Sequence, residues 1–257
     1  MLWSTILAAC YTFGMRSILS LGLCNIFFFV ARPQLLPGQK ISSPVQSLNT
    51  SDASLLQQFE NRYRTAARLE ATFLERYSEN GRVVRTEAGK AYFLHPGKMR
   101  WDYQAPEKNT FLVDGKYVWF YSPADHTATR MPAKRSEDWR TPLAFLTSDM
   151  KLSRLCSRVE AARSVKPSQS TGSVFRCTLR ESRDPESSPT ASILFELLPD
   201  GDLSRIVIPQ EGGIELEFSF TGWRWNPALD KTVFQFVPPH DTVIVDGLLP
   251  DTPGLRQ

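Results

Sequence analysis

From residue 98 to residue 103, Met99, Trp101 and Tyr103 alternate with Lys98, Arg100 and Asp102. Successive side chains on a strand take opposite faces, so this order puts a thioether and two aromatic rings on one side and three charges on the other. The chemistry open to the apolar set is noncovalent. Methionine is unbranched and polarizable and fills irregular gaps. Aromatic rings offer large area at little rotamer entropy. Together they suit either a plain core or a surface that covers alkyl chains. Groups for covalent chemistry are sparse. The histidines, His95, His126 and His240, are scattered, and no HExxH, CxxC, GxGxxG, GxxxxGK[ST] or GxSxG pattern occurs. The reading is of a binding protein with no metal and no cofactor, and not of an enzyme.

Charge adds a second exclusion. Thirty Lys and Arg stand against 27 Asp and Glu, with no long basic run, so the clustered footprint of a nucleic-acid binder is missing. The first residues differ from the rest. "ILSLGLCNIFFFV", from Ile18 to Val30, follows Arg16 and is too short for a membrane span. Its order is that of an export signal. The expected organisation is a signal peptide over residues 1–31, with Met15 a second possible start, then a Pro- and Ser-containing leader over 32–50. One domain over 51–250 and a frayed tail over 251–257 complete it. Cys10 and Cys24 have poor surroundings for lipid attachment. In an exported chain, Cys156 and Cys177 can either bridge, if their strand-like runs pair as a hairpin, or remain two buried thiols.

The elements that must position these residues follow from periodicity. Leu55, Leu56, Phe59 and Tyr63 recur at helical spacing, with Ser51 or Asp52 as N-cap. The period then changes to two. A long hairpin turns at Glu79-Asn80-Gly81, and strands follow over 99–103, 110–113, 117–121 and 126–131, with a tight turn at Asp114-Gly115. Thr141-Pro142 opens a short helix carrying Leu143, Phe145 and Leu146. Sheet resumes over 150–160, 173–181, 191–198, 203–210 and 213–221, and "KTVFQFVPP" reads as a closing strand. This predicts a mainly β fold. About eleven antiparallel strands form one strongly curved sheet or incomplete barrel under a short helical lid, with interior space left over.

The stretch around Trp101 resembles the periplasmic outer-membrane lipoprotein carrier family (LolA). The resemblance is carried in order by Pro96, Trp101, Pro106, Asp114-Gly115-Lys116, Trp119-Phe120-Tyr121, Pro123 and Thr141-Pro142, and by "TVFQFVPPHDTVIVD" over 232–246. It implies an unclosed barrel with a helical lid that carries acylated proteins through the periplasm. An inner-membrane lipoprotein-releasing ABC transporter would be the source and an outer-membrane lipoprotein acceptor the destination, with the carrier a monomer. Residues suited to an acyl-binding cavity are Phe59, Tyr63, Leu69, Phe73, Phe93, Met99, Trp101, Tyr103, Leu143, Phe145 and Leu146. The family has an Arg before the hairpin proline that ties the lid shut; here that place is His95, whose reach is shorter. Other readings are a lipid-anchored receptor of the same fold, a periplasmic hydrolase, or an anchored envelope sensor.

Overall fold

At Asn80-Gly81 both residues take positive φ, 50° and 79°, which is what a two-residue hairpin turn needs to match the strands' twist. The turn joins β1 (Arg68–Glu79) to β2 (Arg82–Leu94), and these long strands form the spine of the sheet. The computed structural model describes residues 48–133, 151–180 and 192–247. From β2 the chain meanders through β3 (Lys98–Ala105), β4 (Thr110–Val113), β5 (Tyr117–Ser122) and β6 (Thr127–Pro132). A second meander runs through β7 (Cys156–Ala161), β8 (Ser173–Leu179), β9 (Ser192–Leu197), β10 (Leu203–Pro209) and β11 (Ile214–Trp225). Antiparallel pairing of β11 with β1 fuses the two. With β12 (Val243–Asp246), the sheet order is β12-β6-β5-β4-β3-β2-β1-β11-β10-β9-β8-β7, a single curved sheet whose two edge strands do not meet.

Four local expectations are corrected. "KTVFQFVPP" is not a strand. Asp230 accepts the Thr232 N–H at 2.8 Å and caps a 3-10 turn, Lys231–Phe234. Phe236 goes instead to the convex face, where its ring packs at a tilt against Trp119 and Tyr121, 4.8 and 5.6 Å away. The last strand is β12, parallel to β6 and held by a paired contact of Arg130 with Asp246 at 2.7 and 2.9 Å. Second, residues 151–155 do not extend β7: a four-residue helix, α2 (Leu152–Leu155), precedes it. Third, the first helix, α1 (Thr50–Thr65), is capped by Asn49, whose side chain accepts the Asp52 N–H at 2.8 Å. Asp52 is buried and pairs with Arg163. Fourth, the β4–β5 connection has three residues, because the Asp114 carboxylate accepts from Lys116 N, Tyr117 N and Trp119 Nε1.

Candidate functional site

One face of the sheet carries a continuous aromatic surface, with α1 laid against it. On β1 the inward residues are Leu69, Ala71 and Phe73. β2 brings Ala91 and Phe93, and β3 brings Met99, Trp101 and Tyr103. The register sets Trp101 opposite Ala91 and Tyr103 opposite Gly89. At Gly89 no side chain fits: an added Cβ would stand 2.0 Å from the Asp102 carbonyl oxygen and 3.0 Å from the Phe73 ring. That bare position lets Tyr103 come within 5.1 Å of Phe73.

Trp101 is the hub. Its ring centroid lies 4.6 Å from Phe73, 6.0 Å from Phe93, 5.4 Å from Phe218 and 5.9 Å from Phe220. From α1, Tyr63 wedges edge-on against Trp223 and Trp225 at 5.3 and 4.9 Å, and Phe59 lies 6.1 Å from Phe195. Of the sequence-predicted residues, Phe59, Tyr63, Leu69, Phe73, Phe93, Met99 and Trp101 come together here, each 0–1% exposed. At that exposure none of these side chains is open to solvent, so the cluster they form is closed. Tyr103 sits at its margin. Leu143, Phe145 and Leu146 lie outside the described residues, as do the expected signal and tail. A hollow of about 190 Å³ beside Ala67, Leu94 and Phe234 lies on the other face.

α1 is fastened by polar ties around its apolar stripe. Arg62 donates to the Asp200 carbonyl at 2.6 Å, pairs with Asp202 at 3.0 Å and lies 4.2 Å over the Trp225 ring. Gln58 also reaches the Asp200 carbonyl, Glu60 accepts the Leu152 N–H, and the Tyr63 hydroxyl accepts the Leu203 N–H. Burial pushes the Tyr63 phenol well above its usual pKa. It also raises Asp202, with the Arg62 charge opposing. His95, at the end of β2, is half-buried, and its backbone N–H donates to the Ala67 carbonyl at 3.0 Å, just after α1.

Two features escaped the sequence reading. The first is the β11 contribution, although Leu216, Phe218 and Phe220 alternate with Glu215, Glu217 and Ser219 as an inward strand should. A register shift between Glu70 and Thr72, opposite Gly222 at φ 63°, then accompanies the turn of Trp223 inward. The second is a polar group on the same face. Glu75 is raised to about 7, chiefly by loss of water on burial; the Tyr103 hydrogen bond opposes this, Glu87 adds to it and Arg85 opposes it. Cys156 and Cys177 form a disulfide that ties edge strand β7 to β8 across a Cα–Cα distance of 5.4 Å.

An open sheet, antiparallel but for its last strand, with an aromatic concave face and a helix laid in it defines a half-barrel binding fold. The chain belongs to a particular family of that class: the model described as outer membrane lipoprotein carrier protein LolA matches residues 64–237. An outer-membrane lipoprotein carrier protein of Xanthomonas campestris pv. campestris (strain B100) is 27% identical over 199 residues, covering 74% of this chain and 87% of that protein. One from Nitrosomonas europaea is 28% identical over 229 residues, covering 86% and 97%. Among solved structures, an uncharacterized conserved protein from Thermus thermophilus overlays with a TM-score of 0.49 at 15% identity, covering 77% of this chain and 99% of that one.

Proposed function

We propose that this chain is a periplasmic carrier that binds the acyl chains of lipoproteins and moves them from the inner to the outer membrane. It would receive them from a lipoprotein-releasing ABC transporter and deliver them to an outer-membrane acceptor. Membership of the carrier family is the observation that carries the reading. The concave aromatic face supplies a physical means. Each methylene withdrawn from water is worth roughly 0.8 kcal/mol, so a sixteen-carbon chain left in water costs on the order of 10 kcal/mol.

In this reading the closed arrangement is the unloaded one, and an acyl chain enters by lifting α1 from the sheet. The ties that hold α1 are separate polar contacts worth about 1 kcal/mol each. The apolar surface that the helix uncovers is covered again by the incoming chain, so entry exchanges one apolar contact for another. Such a carrier needs adaptable apolar area and no catalytic group.

The test is to purify the mature protein from the cell envelope and identify by mass spectrometry what accompanies it. Acylated proteins released on lipid extraction are the expected result. A preparation free of them, together with failure to bind a fluorescent long-chain lipid, overturns the reading. A lipidated cysteine at the mature N-terminus would make the chain the anchored receptor instead.

A further inference from the structure

Two residues beyond Phe73, on the same face of β1, stands a group that alkyl chains do not require. Glu75 is 2% exposed. The register puts Glu87 directly opposite, and paired residues share a face. The Tyr103 hydroxyl donates to Glu75 Oε2 at 2.9 Å. Arg85 lies 3.2 Å from Glu87 but 4.0 Å from Glu75 Oε1, beyond hydrogen-bonding reach. Two carboxylates thus share one guanidinium, and the sum is negative when both are ionised.

Four buried atoms here lack hydrogen-bond partners among the described residues. Three belong to the charged cluster: the acceptors Glu75 Oε1 and Glu87 Oε2, and one guanidinium nitrogen of Arg85, a single donor between two carboxylates. The fourth, independent of that cluster, is the indole N–H of Trp101, a donor on a side chain 1% exposed. Trp101 packs on Phe73, and Glu75 accepts from Tyr103, so both border the Phe73–Tyr103 ring pair. Buried polar atoms are nearly always paired, so two unpaired carboxylate oxygens facing one guanidinium leave acceptor capacity for a further donor.

We propose that this end of the interior receives the head of an acylated ligand, and that the head it takes bears a protonated amine. The ammonium N–H would go to Glu75 Oε1 between the two carboxylates, and an ester carbonyl of the acylated head would take the Trp101 N–H. The inference rests on the carrier reading and adds a selectivity to it. An acylated chain terminus with a free amine is favoured, a neutral head is tolerated, and a fatty acid carboxylate is repelled by like charge.

The selectivity follows the ionisation of Glu75. The other titratable groups that face it are Glu87 and Arg85 on β2 and Tyr103 on β3, with Glu107 acting on Glu87 and Tyr77 lying under Arg85. Since Glu75 is raised to about 7, its negative charge is present at pH 8 and mostly gone at pH 6. An alkylamine stays protonated throughout.

The test is displacement of a fluorescent long-chain lipid by dodecylamine, dodecanol and dodecanoate, below their micelle concentrations, from wild type, Glu75→Gln and Glu87→Gln. In wild type at pH 8, dodecylamine is expected to displace the probe at a concentration roughly tenfold lower than dodecanoate, with dodecanol between them. The gap narrows at pH 6. It closes in Glu75→Gln and shrinks in Glu87→Gln, while dodecanol binding, which also reports that the variants are folded, stays unchanged. Affinity independent of the head in wild type, or a gap that survives in Glu75→Gln, overturns this inference alone. No binding by any of the three overturns the carrier reading and this inference with it.

Discussion

Replacing Glu75 by Gln removes a charge that folding has taken out of water while keeping the shape and one oxygen to accept from Tyr103. The other oxygen gives way to an N–H donor, where the protonated acid has its O–H donor. The carboxyl titrates at about 7 in the folded protein against 4.5 as its ordinary value. The folded state therefore binds more protons than the unfolded chain between those limits, and stability falls as pH rises through that window. A separation of about 2.5 units corresponds to about 3 kcal/mol, present below pH 4.5 and lost by pH 8. Chemical denaturation of wild type and Glu75→Gln at pH 5, 6, 7 and 8 reads this contribution together with the coupling of Glu75 to Glu87 and Tyr103, while groups farther away act equally on both. Near pH 5 the two proteins should be close in stability. By pH 8 the variant should be more stable by about 3 kcal/mol. A difference that stays constant across the series would mean that Glu75 does not titrate as its burial requires, and the reasoning would fail.

Four further outcomes are expected. Replacing both Cys156 and Cys177 by Ser opens a loop of 21 residues, which should cost about 3 kcal/mol and speed hydrogen exchange in β7 before other strands. Arg62→Ala removes the contacts with Asp200, Asp202 and Trp225. It should cost about 1–2 kcal/mol and quicken exchange of α1 amides; unchanged exchange would show that apolar packing alone holds the helix. Trp101→Ala should lower stability by about 3–5 kcal/mol, since its ring is enclosed by four others. His95→Arg should slow lipid release in stopped-flow measurements if this position ties the lid, and equal rates in the two proteins would remove His95 from gating.

Much of the architecture was legible because alternation is a strong signal where one face is dry. β1 through β6 followed from period-two runs and from turn residues such as Asn80-Gly81. β7 through β10 followed from short apolar runs between polar breaks. The C-terminal region was less readable. Phe234 and Phe236 alternate as a strand would, yet a capping Asp230 and the Pro238-Pro239 pair favour a turn and an irregular segment laid on the convex face. The face taken by Trp119 and Tyr121 was not readable either, because all of "YVWFYS" is apolar or aromatic apart from its last residue. The apolar residues that α1 and β1–β3 bring to this face were named by type and spacing, and those of β11 were not. Glu75 was not, since a Glu between Leu74 and Arg76 reads as an ordinary outward charge. Only the fold shows it on the inner side, across from a second carboxylate.

The ties of α1 have a mechanical consequence. Among the described residues, Asp52, Gln58, Glu60, Arg62 and Tyr63 reach Arg163, Asp200, Leu152, Asp202 and Leu203, and all five partners belong to the later meander or to α2, which leads into it. The helix is thus hung like a door from one jamb. If the two meanders part about the seam where β1 meets β11, these contacts carry it with the later one.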